Sequence, residues 1–293
     1  MELKITAIRA GKLSGFLRGE LSMSTGLMNR LKWGGGLLVN GSPARTNYPV
    51  QPGDIITVLL DEPTPEYPPE DTPLSIIYED EHLLVVDKPA GVLIHPSRHR
   101  NTGTLANAVL GYYQRTSQPC AFHPATRLDR DTFGLVLLGK NSHIHQLLCT
   151  LHEEKKLKKT YRGLVYGQMP QESGIIDLPI GRLPKPSLLR QVDPMGQPSQ
   201  TEYRCIARGT NRSLLELLPV TGRTHQLRVH CAALGCPMLG DPQYGSEESL
   251  ALSRTLGLTT QQLCAAGLQF PHPITGEVLT LRSGLDVYRE GLE

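Results

Sequence analysis

The chain has 293 residues, of which 39% are hydrophobic and 20% are charged, and its formal net charge is +2. This composition is typical of a globular protein, and a length near 300 residues predicts about two domains. No apolar run approaches the ~18 residues of a membrane-spanning helix, and the N-terminus has no secretory hydrophobic region, so we expect a cytoplasmic protein without a membrane partner.

The small net charge conceals an uneven distribution along the chain. Residues 1–60 carry a net charge of +4, and residues 82–293 carry +6. Between them, residues 61–81 contain eight acidic residues, five prolines and no Lys or Arg. Because carboxylates repel one another and proline continues neither a helix nor a central strand, residues 61–75 are predicted to form an extended linker. It separates a domain at 1–60 from a second domain at 76–293.

The first domain is predicted to be a small α/β unit. Apolar residues recur at helical spacing, at Leu17, Leu21, Met28 and Leu31. Glycines 34–36 end this helix, a strand follows at 37–39, and Asn40-Gly41 predicts a tight hairpin, since type I′ turns need positive φ. A last strand covers residues 55–60.

Basic side chains are spread over this domain. They either form a solvated helical face or bind phosphates of a nucleic acid, and the candidates are Arg18, Arg30, Lys32 and Arg45. Helix, glycine turn, Val-Asn-Gly hairpin and Pro-Gly-Asp strand come in this order over residues 21–58. In that order the stretch resembles the alpha-L module, a small RNA-binding domain, and the resemblance implies that residues 1–60 bind RNA.

The second domain mixes helical and strand patterns. Strands are predicted at 76–78, 83–86, 135–138, 161–166 and 214–218, and amphipathic helices at 144–151 and 227–234. For the last helix, Thr224 is the predicted N-cap and Gly235 the C-cap. Because strands and helices do not alternate regularly, the pattern favours an α+β fold over a doubly wound sheet. The six cysteines lack zinc-ligand spacing, so we expect free thiols and no metal site.

Three polar clusters are candidate functional segments, at residues 127–134, 158–162 and 221–230. Taken singly, each has a structural interpretation: a salt-bridged turn, a solvated basic strand, and an ordinary first helical turn with two satisfied histidines. The third also has a functional interpretation, because backbone N–H groups at a helix start attract anions. Arg223 and Arg228 in it can bind phosphate or orient a carboxylate through the guanidinium fork.

Together these clusters belong to a larger pattern. Six segments follow in order within residues 76–244: IIYEDEHLLVVDKPAGVLIHPS, RLDRDTFG, KKTYRGLVYG, LPIGRLP, GQPSQTEY and LLPVTGRTHQLRVHCAALGCPMLGDPQYG. In these segments the chain resembles the RluA-type pseudouridine synthases of RNA. The resemblance implies a pseudouridine synthase fold, with a mixed, largely antiparallel central sheet flanked by helices, and an isomerase that uses no cofactor.

The resemblance also implies roles for individual residues. Asp129 matches the catalytic carboxylate, Tyr161 the active-site tyrosine that faces the uracil, and Arg228 the basic residue that pairs with the aspartate. Arg127 matches a position near the RNA and the evicted base. Further candidates for RNA contacts are His123, Arg223, Lys155, Lys156, Lys158 and Lys159, although a solvated face remains an equal interpretation of the lysine block.

These residue types suit the reaction. Pseudouridine formation detaches uracil from C1′ of the ribose, rotates it and rejoins it through C5, which needs a nucleophile that can also leave. Asp129 either attacks C1′ or abstracts a sugar proton, and the sequence does not separate these routes. Arg228 would keep Asp129 ionised, and Tyr161 would stack on the base or act as a proton acceptor.

The chain departs from the family pattern at three positions. Thr126 stands where the family has His, Phe133 where it has Ser, and Cys264 where it has His. We expect the changes at Thr126 and Phe133 to affect the loop or the RNA contact more than the catalytic trio, which puts the identity of the substrate in doubt more than the activity.

Two other functions compete with the isomerase. A phosphotransferase with an aspartate nucleophile is suggested by the acidic 129–132 run, but that motif needs an apolar strand before its aspartates, and here the strand follows. A non-catalytic RNA-binding protein would share the basic blocks. For the enzyme, which we expect to be a monomer, the alpha-L-like module favours large-subunit ribosomal RNA over transfer RNA as substrate.

Overall fold

The computed structural model describes residues 2–60, 67–97, 100–184 and 186–292. The elements of the N-terminal part are β1 (Glu2–Thr6), β2 (Gly11–Lys12), α1 (Leu13–Gly19), α2 (Thr25–Gly34), β3 (Leu37–Val39), β4 (Ser42–Pro43), β5 (Pro49–Val50) and β6 (Ile55–Leu59). They form a four-stranded antiparallel sheet in the order β1-β6-β3-β4, a small two-stranded β2–β5 sheet and two helices over one apolar core.

The predicted single helix of this domain is in fact two helices. Ser24 is the N-cap of α2, and its side chain accepts a hydrogen bond from the backbone N–H of Leu27. Ser22, with φ of 50°, breaks the helical path between α1 and α2. Leu17 therefore lies in α1 and Met28 and Leu31 in α2, whereas Leu21 lies in the break, because the capping serine starts a new helix. The hairpin prediction is confirmed, because Asn40 and Gly41 both have positive φ.

The second part is built on one large sheet. Its elements are β7 (Ser75–Glu79), β8 (Leu83–Lys88), α3 (Leu105–Arg115), β9 (His123–Pro124), β10 (Phe133–Gly139), α4 (Ser142–Glu153), β11 (Lys158–Tyr166), β12 (Ser173–Asp177), β13 (Ile180–Arg182), β14 (Arg190–Val192), β15 (Gln200–Gly209), β16 (Arg212–Pro219), α5 (Gln226–Ala233), α6 (Glu247–Thr255), β17 (Leu263–Pro271) and β18 (Val278–Arg282). Ten of these strands form the sheet, with the main order β12-β15-β16-β11-β17-β10-β8-β7.

Pairing in this sheet is antiparallel among the described strands, except between β10 and β17, which run parallel. The predicted α+β class with a mixed, largely antiparallel sheet is therefore confirmed. Within the described ranges, no helix is both long and apolar enough to span a bilayer.

Strand β10 lies inside the sheet, between β17 and β8, and is buried along its whole length. Leu135 and Leu137 pack towards α4, whereas Val136 and Leu138 pack towards α3. Successive side chains of a strand point to opposite faces, so a continuous apolar run is what a strand covered by helices on both sides requires. This packing fixes the position of the polar loop that precedes β10.

The predicted linker falls partly outside the described residues, at 61–66. Residues 67–74 form no regular helix or strand but lie against α3, where the side-chain amide of Asn107 donates to the carbonyl oxygen of Pro68 at 2.8 Å. A Cβ on Gly111 would lie 1.9 Å from the carbonyl oxygen of Glu70, so glycine permits this close approach. The domain boundary itself stays a prediction.

Candidate active site

The three polar clusters of the sequence meet at one cavity of about 250 Å³. Three parts of the chain contribute to its wall: the loop before β10, the first part of β11, and the segment from the end of β16 into α5. The chemically functional side chains among its lining residues are Arg127, Asp129, Thr132, His152, Lys159, Tyr161, Arg223, His225 and Arg228. Among the described lining residues, cationic and imidazole groups thus surround one carboxylate, that of Asp129.

Asp129 lies on the loop that leads into β10, with its side chain 28% exposed to the cavity. Its Oδ2 lies 3.3 Å from Nη1 of Arg228, which donates a hydrogen bond to it. Two hydrogen bonds fix the part of the loop that follows the carboxylate. Nε2 of Gln261 donates to Oγ1 of Thr132 at 2.6 Å, and Nζ of Lys88 donates to the carbonyl oxygen of Arg130 at 2.8 Å.

Lys88 supports this loop from below the surface. Its side chain is fully buried, and its Nζ also donates to the carbonyl oxygens of Pro89 and Val92, both at 2.8 Å. Burial lowers the pKa of Lys88 to about 8, against the opposing effect of the Asp131 and Asp129 charges. The sequence pattern predicts no role for Lys88, although the first family-like segment contains it in Asp-Lys-Pro-Ala-Gly.

Gly134 allows β10 and β17 to approach each other. Its φ is +104°, and a Cβ at this position would lie 2.5 Å from the carbonyl oxygen of Ala265. Only glycine adopts such a backbone without strain. The end of the polar loop is therefore held directly against β17, whose first residue, Leu263, lines the cavity.

Arg228 is buried on α5 and binds two carboxylates. Its Nε and Nη2 donate to Oδ2 and Oδ1 of Asp241, at 2.7 and 2.8 Å, while Nη1 reaches Asp129. Nη2 also donates to Oε1 of Gln243 at 2.6 Å, and the guanidinium lies over the ring of Tyr244. Burial disfavours the charge of Arg228, but Asp241 and Asp129 overcome this and raise its pKa above the ordinary value.

The fork to Asp241 fixes the direction in which Arg228 points. Bidentate guanidinium–carboxylate pairs constrain geometry as well as energy, so Nη1 is left facing Asp129. Asp241 and Gln243 were not predicted as site residues. The GDPQYG sequence in the last family-like segment contains both, but nothing local in that sequence shows which cation they bind.

Tyr161 lies on β11 and is 9% exposed, packed against Leu227 and Leu263. Burial, and next the negative charge of Asp129, raise the pKa of its hydroxyl far above the ordinary value. Tyr161 is therefore protonated at neutral pH. It presents a neutral phenol to the cavity.

The start of α5 differs from the prediction. The N-cap is His225, not Thr224, and it has left-handed backbone angles with no capping hydrogen bond from its side chain. The loop is closed instead by Gln226, whose Oε1 accepts from Oγ1 of Thr221 and whose Nε2 donates to the carbonyl oxygen of Gln200. At the other end, the C-cap is Leu234, and Gly235 follows it with φ of 73°.

The two histidines of this cluster have different environments. His230 is fully buried between Oγ1 of Thr201 and the carbonyl oxygen of Leu178, each 3.0 Å from a ring nitrogen, as its structural interpretation requires. His225 instead lines the cavity, with Nδ1 2.8 Å from Oη of Tyr244 and Nε2 3.9 Å from Oδ2 of Asp129.

The candidate RNA-binding residues divide into two groups in the second domain. Arg127 and Arg223 are exposed at the cavity, and Lys159 lines it, with its pKa lowered by burial. The others lie outside the lining. Lys155, Lys156 and Lys158 are exposed, Lys156 pairs with Glu154 at 2.7 Å, and the ring of His123 lies 5.8 Å from that of His145.

In the N-terminal domain, Arg18 and Arg45 are exposed, in keeping with a solvated or RNA-facing surface. Arg30 is exposed and its Nη2 donates to Oγ of Ser142, the first residue of α4, at 2.8 Å. Nζ of Lys32 lies 4.9 Å from the centroid of the Trp33 ring.

The three departures from the family pattern serve packing. Thr126 is buried, and its Oγ1 accepts a hydrogen bond from the N–H of Leu137 at 2.9 Å, although part of the residue also lines the cavity. Phe133 and Cys264 are direct partners in the parallel β10–β17 register and share one apolar cluster. Because the side chain of Phe133 is buried in the core, it does not present a surface for a direct RNA contact, and its expected effect on the loop stays a prediction.

This pairing predicts that the two positions are energetically coupled. Phe133→Ser should leave a cavity and Cys264→His should overfill the same space, so each single variant loses about 2–4 kcal/mol of unfolding free energy. The double variant should lose at least about 1 kcal/mol less than the sum. Urea denaturation of all four proteins measures the coupling, and strict additivity would contradict it.

Among the residues that the structure describes, no three His, Cys, Asp or Glu side chains are placed to bind a metal ion together. All six cysteines are free.

Comparison with known proteins identifies the class. The family model for RNA pseudouridylate synthase matches residues 82–233, which include the Asp129 loop, β11 and α5. The chain belongs to this family, in its RluA-type branch, and it is an RNA-modifying isomerase. Membership decides against both the phosphotransferase and the non-catalytic RNA-binding protein.

Individual relatives agree with this assignment. The chain is 36% identical over 270 residues to the uncharacterized RNA pseudouridine synthase YjbO of Bacillus subtilis, covering 91% of this chain and 93% of YjbO. It is 35% identical over 251 residues to ribosomal large subunit pseudouridine synthase D of Nitrosomonas europaea, covering 84% and 73%. In fold, it is similar to human RNA pseudouridylate synthase domain containing 1, with a TM-score of 0.59, 24% identity and coverage of 76% and 93%.

Proposed function

We propose that this isomerase converts uridines of large-subunit ribosomal RNA to pseudouridine, with Asp129 acting on the sugar of the target nucleotide. The observation that carries the proposal is the contact of the Asp129 carboxylate with the Arg228 guanidinium, inside a cavity that Tyr161 also lines. A carboxylate that is aimed by a buried cation and open on one side suits attack on a substrate that enters from solvent.

Asp129 would open the reaction. It bonds to C1′ as the uracil leaves, or it takes a proton from the sugar. Both routes need the carboxylate ionised, and the opposite charge of Arg228 favours that form. The isomerisation involves no redox change and no net hydrolysis, so we propose that it proceeds without a cofactor.

Tyr161 would face the base. Its ring offers a stacking surface worth about 1–3 kcal/mol, and its protonated hydroxyl is suited to hydrogen bonding while Asp129 is charged. Once Asp129 has formed a neutral ester or accepted a proton, the negative charge that helps to raise the pKa of Tyr161 is gone. The hydroxyl then releases its own proton to solvent more readily, and the resulting phenolate can accept a proton from C5 or from the sugar.

Tyr161→Phe separates these contributions. It keeps the aromatic ring and removes the hydroxyl, so we expect the single-turnover rate to fall about 10²–10⁴-fold, the range of general acid–base catalysis. RNA affinity should stay within about twofold. Tyr161→Leu, which also removes the stacking surface, should weaken RNA binding in addition. A Phe variant with the wild-type rate would exclude a role of the hydroxyl.

The basic side chains would bind phosphates around the target. A uridine within structured RNA must be flipped out of its stack at a cost of a few kcal/mol. Arg127, Arg223 and Lys159 at the cavity are suited to hold the flipped nucleotide and its neighbours. The alpha-L-like domain, with Arg18, Arg30, Lys32 and Arg45, would bind a second segment of the same RNA, and we expect a monomer to suffice.

The choice of ribosomal RNA is supported by relatives named as large-subunit synthases in Nitrosomonas europaea and Pasteurella multocida. The test uses purified enzyme with ribosomal RNA and transfer RNA that are labelled with tritium at uridine C5 and come from cells lacking the protein. Release of tritium from the large-subunit fraction supports the proposal. Release from transfer RNA alone would replace it with the second candidate substrate.

A further inference from the structure

We infer that His225 is a further catalytic residue, which donates a hydrogen bond from Nε2 to a carbonyl oxygen of the target uracil as the base leaves the ribose. The inference rests on the proposed function of the cavity around Asp129. It depends on the orientation of the ring, on an unused donor and on an unusual backbone.

Tyr244 fixes the imidazole of His225 at Nδ1, the ring nitrogen farther from Asp129. Oη of Tyr244 accepts a hydrogen bond from the backbone N–H of Arg190 at 2.9 Å and lies 2.8 Å from Nδ1 of His225. The tyrosine hydroxyl has one proton of its own to donate, and Nδ1 is in position to accept it. The ring proton of a neutral His225 is then on Nε2, and the nearby carboxylate of Asp129 favours the same tautomer.

Among the residues that the structure describes, no acceptor binds the Nε2 donor of His225. Its distance of 3.9 Å from Oδ2 of Asp129 is too long for a hydrogen bond. Burial, and to a smaller extent Arg228, keep the pKa of His225 below its ordinary value, although the charges of Asp129 and Asp241 oppose them. The ring is therefore a neutral donor that points into the cavity beside the proposed nucleophile.

The backbone at this position is not explained by helix capping. His225 has φ of 58°, a left-handed conformation that non-glycine residues seldom adopt. As the N-cap of α5 it makes no side-chain capping bond. Asn would satisfy both demands better, since it tolerates this backbone and caps well. A histidine here is accounted for by what its ring does in the cavity.

The chemistry provides a use for such a donor. When the bond between C1′ and N1 breaks, its electron pair moves to the uracil and spreads onto the two carbonyl oxygens. Asp129 meanwhile forms the new bond to C1′ or takes the sugar proton. A fixed neutral donor at a carbonyl oxygen stabilises this charge without giving up its proton, and so acts as an oxyanion hole does.

Two amide substitutions test the inference. In His225→Gln, the amide nitrogen can occupy the place of Nε2. In His225→Asn, the side chain is shorter, and its amide nitrogen corresponds to Nδ1 instead. Because Asn tolerates the backbone, it should keep the melting temperature and the RNA affinity of the wild type. We expect its single-turnover rate to fall about 10²–10³-fold, and that of the Gln variant to stay within about tenfold of the wild type.

Total cellular RNA labelled with tritium at uridine C5 serves as substrate, so that the readout does not depend on which RNA is the target. Tyr244→Phe, which keeps the ring over Arg228 but removes the hydroxyl, should slow the reaction about two- to tenfold. A folded Asn variant with the wild-type rate overturns the inference, and so does a folded Gln variant as slow as Asn. Wild-type enzyme that acts on transfer RNA alone would refute the proposed substrate but leave the role of His225 intact.

Discussion

Replacement of Asp129 by Asn is expected to abolish isomerisation while RNA binding persists. The amide has nearly the same shape and can still accept a hydrogen bond from Arg228, but it neither attacks C1′ nor accepts a sugar proton. Loss of a nucleophile or of its activating partner reduces enzymatic rates by roughly 10⁴–10⁶-fold. The affinity for RNA should be unchanged or slightly higher, because a negative charge leaves a basic cavity.

Asp131 provides a matched control for this substitution. It lies two residues away on the same loop and pairs with exposed Arg130 at 2.8 Å. Exposed ion pairs contribute about 0–1 kcal/mol, so Asp131→Asn should keep the rate within about fivefold. Single-turnover tritium release and filter binding on the same RNA measure both properties. Equal rates for the two variants would exclude Asp129 as the acting carboxylate.

Replacement of Arg228 by Met is expected to affect both stability and activity. The side chain of Asp241 is fully buried, and without Arg228 its charge has no bidentate partner. Removing one partner of a buried ion pair costs about 3–5 kcal/mol, which lowers the melting temperature by roughly 6–20 °C for a domain of this size. Catalysis should be lost as well, because Asp129 loses the cation that orients it.

A second substitution separates the two effects. Arg228→Met combined with Asp241→Leu replaces the buried pair with apolar side chains, a change that is often neutral in other proteins. The double variant should regain most of the melting temperature and none of the activity. A single variant that melts within about 2 °C of the wild type would show that the pair does not stabilise the fold, and regained activity in the double variant would contradict the role of Arg228.

The sequence predicted those parts of the fold that depend on local pattern. The continuous apolar run of β10 and the helical spacing of Ile144, Leu147, Leu148 and Leu151 in α4 are confirmed, because both follow from the repeat of the backbone itself. The same spacing misled in the N-terminal domain. There, Ser24 starts a new helix. The number of residues between the apolar positions of α1 and α2 happens to match a helical repeat, although no helix connects them.

Site residues could be predicted where they match a motif of the family. They were harder to predict where a contact between distant parts of the chain determines their role. Asp129, Tyr161 and Arg228 come from separate segments, and the structure brings them to one cavity, while their roles stay proposals. Asp241 binds Arg228, and Tyr244 orients His225. Both contacts depend on the path of the chain after α5, which brings residues 241–244 back to the cavity. The parallel contact of Phe133 with Cys264 joins strands that are distant in the chain, which no local pattern encodes.

The most direct test of the account is a map of pseudouridine across cellular RNA. Three strains are compared: one without the protein, one with the wild-type chain, and one with the Asp129→Asn variant expressed to the same level. We predict that one or more pseudouridines in large-subunit ribosomal RNA depend on the wild-type chain and are missing from both other strains. Identical maps in all three strains, or sites restored by the Asn variant, would contradict the account.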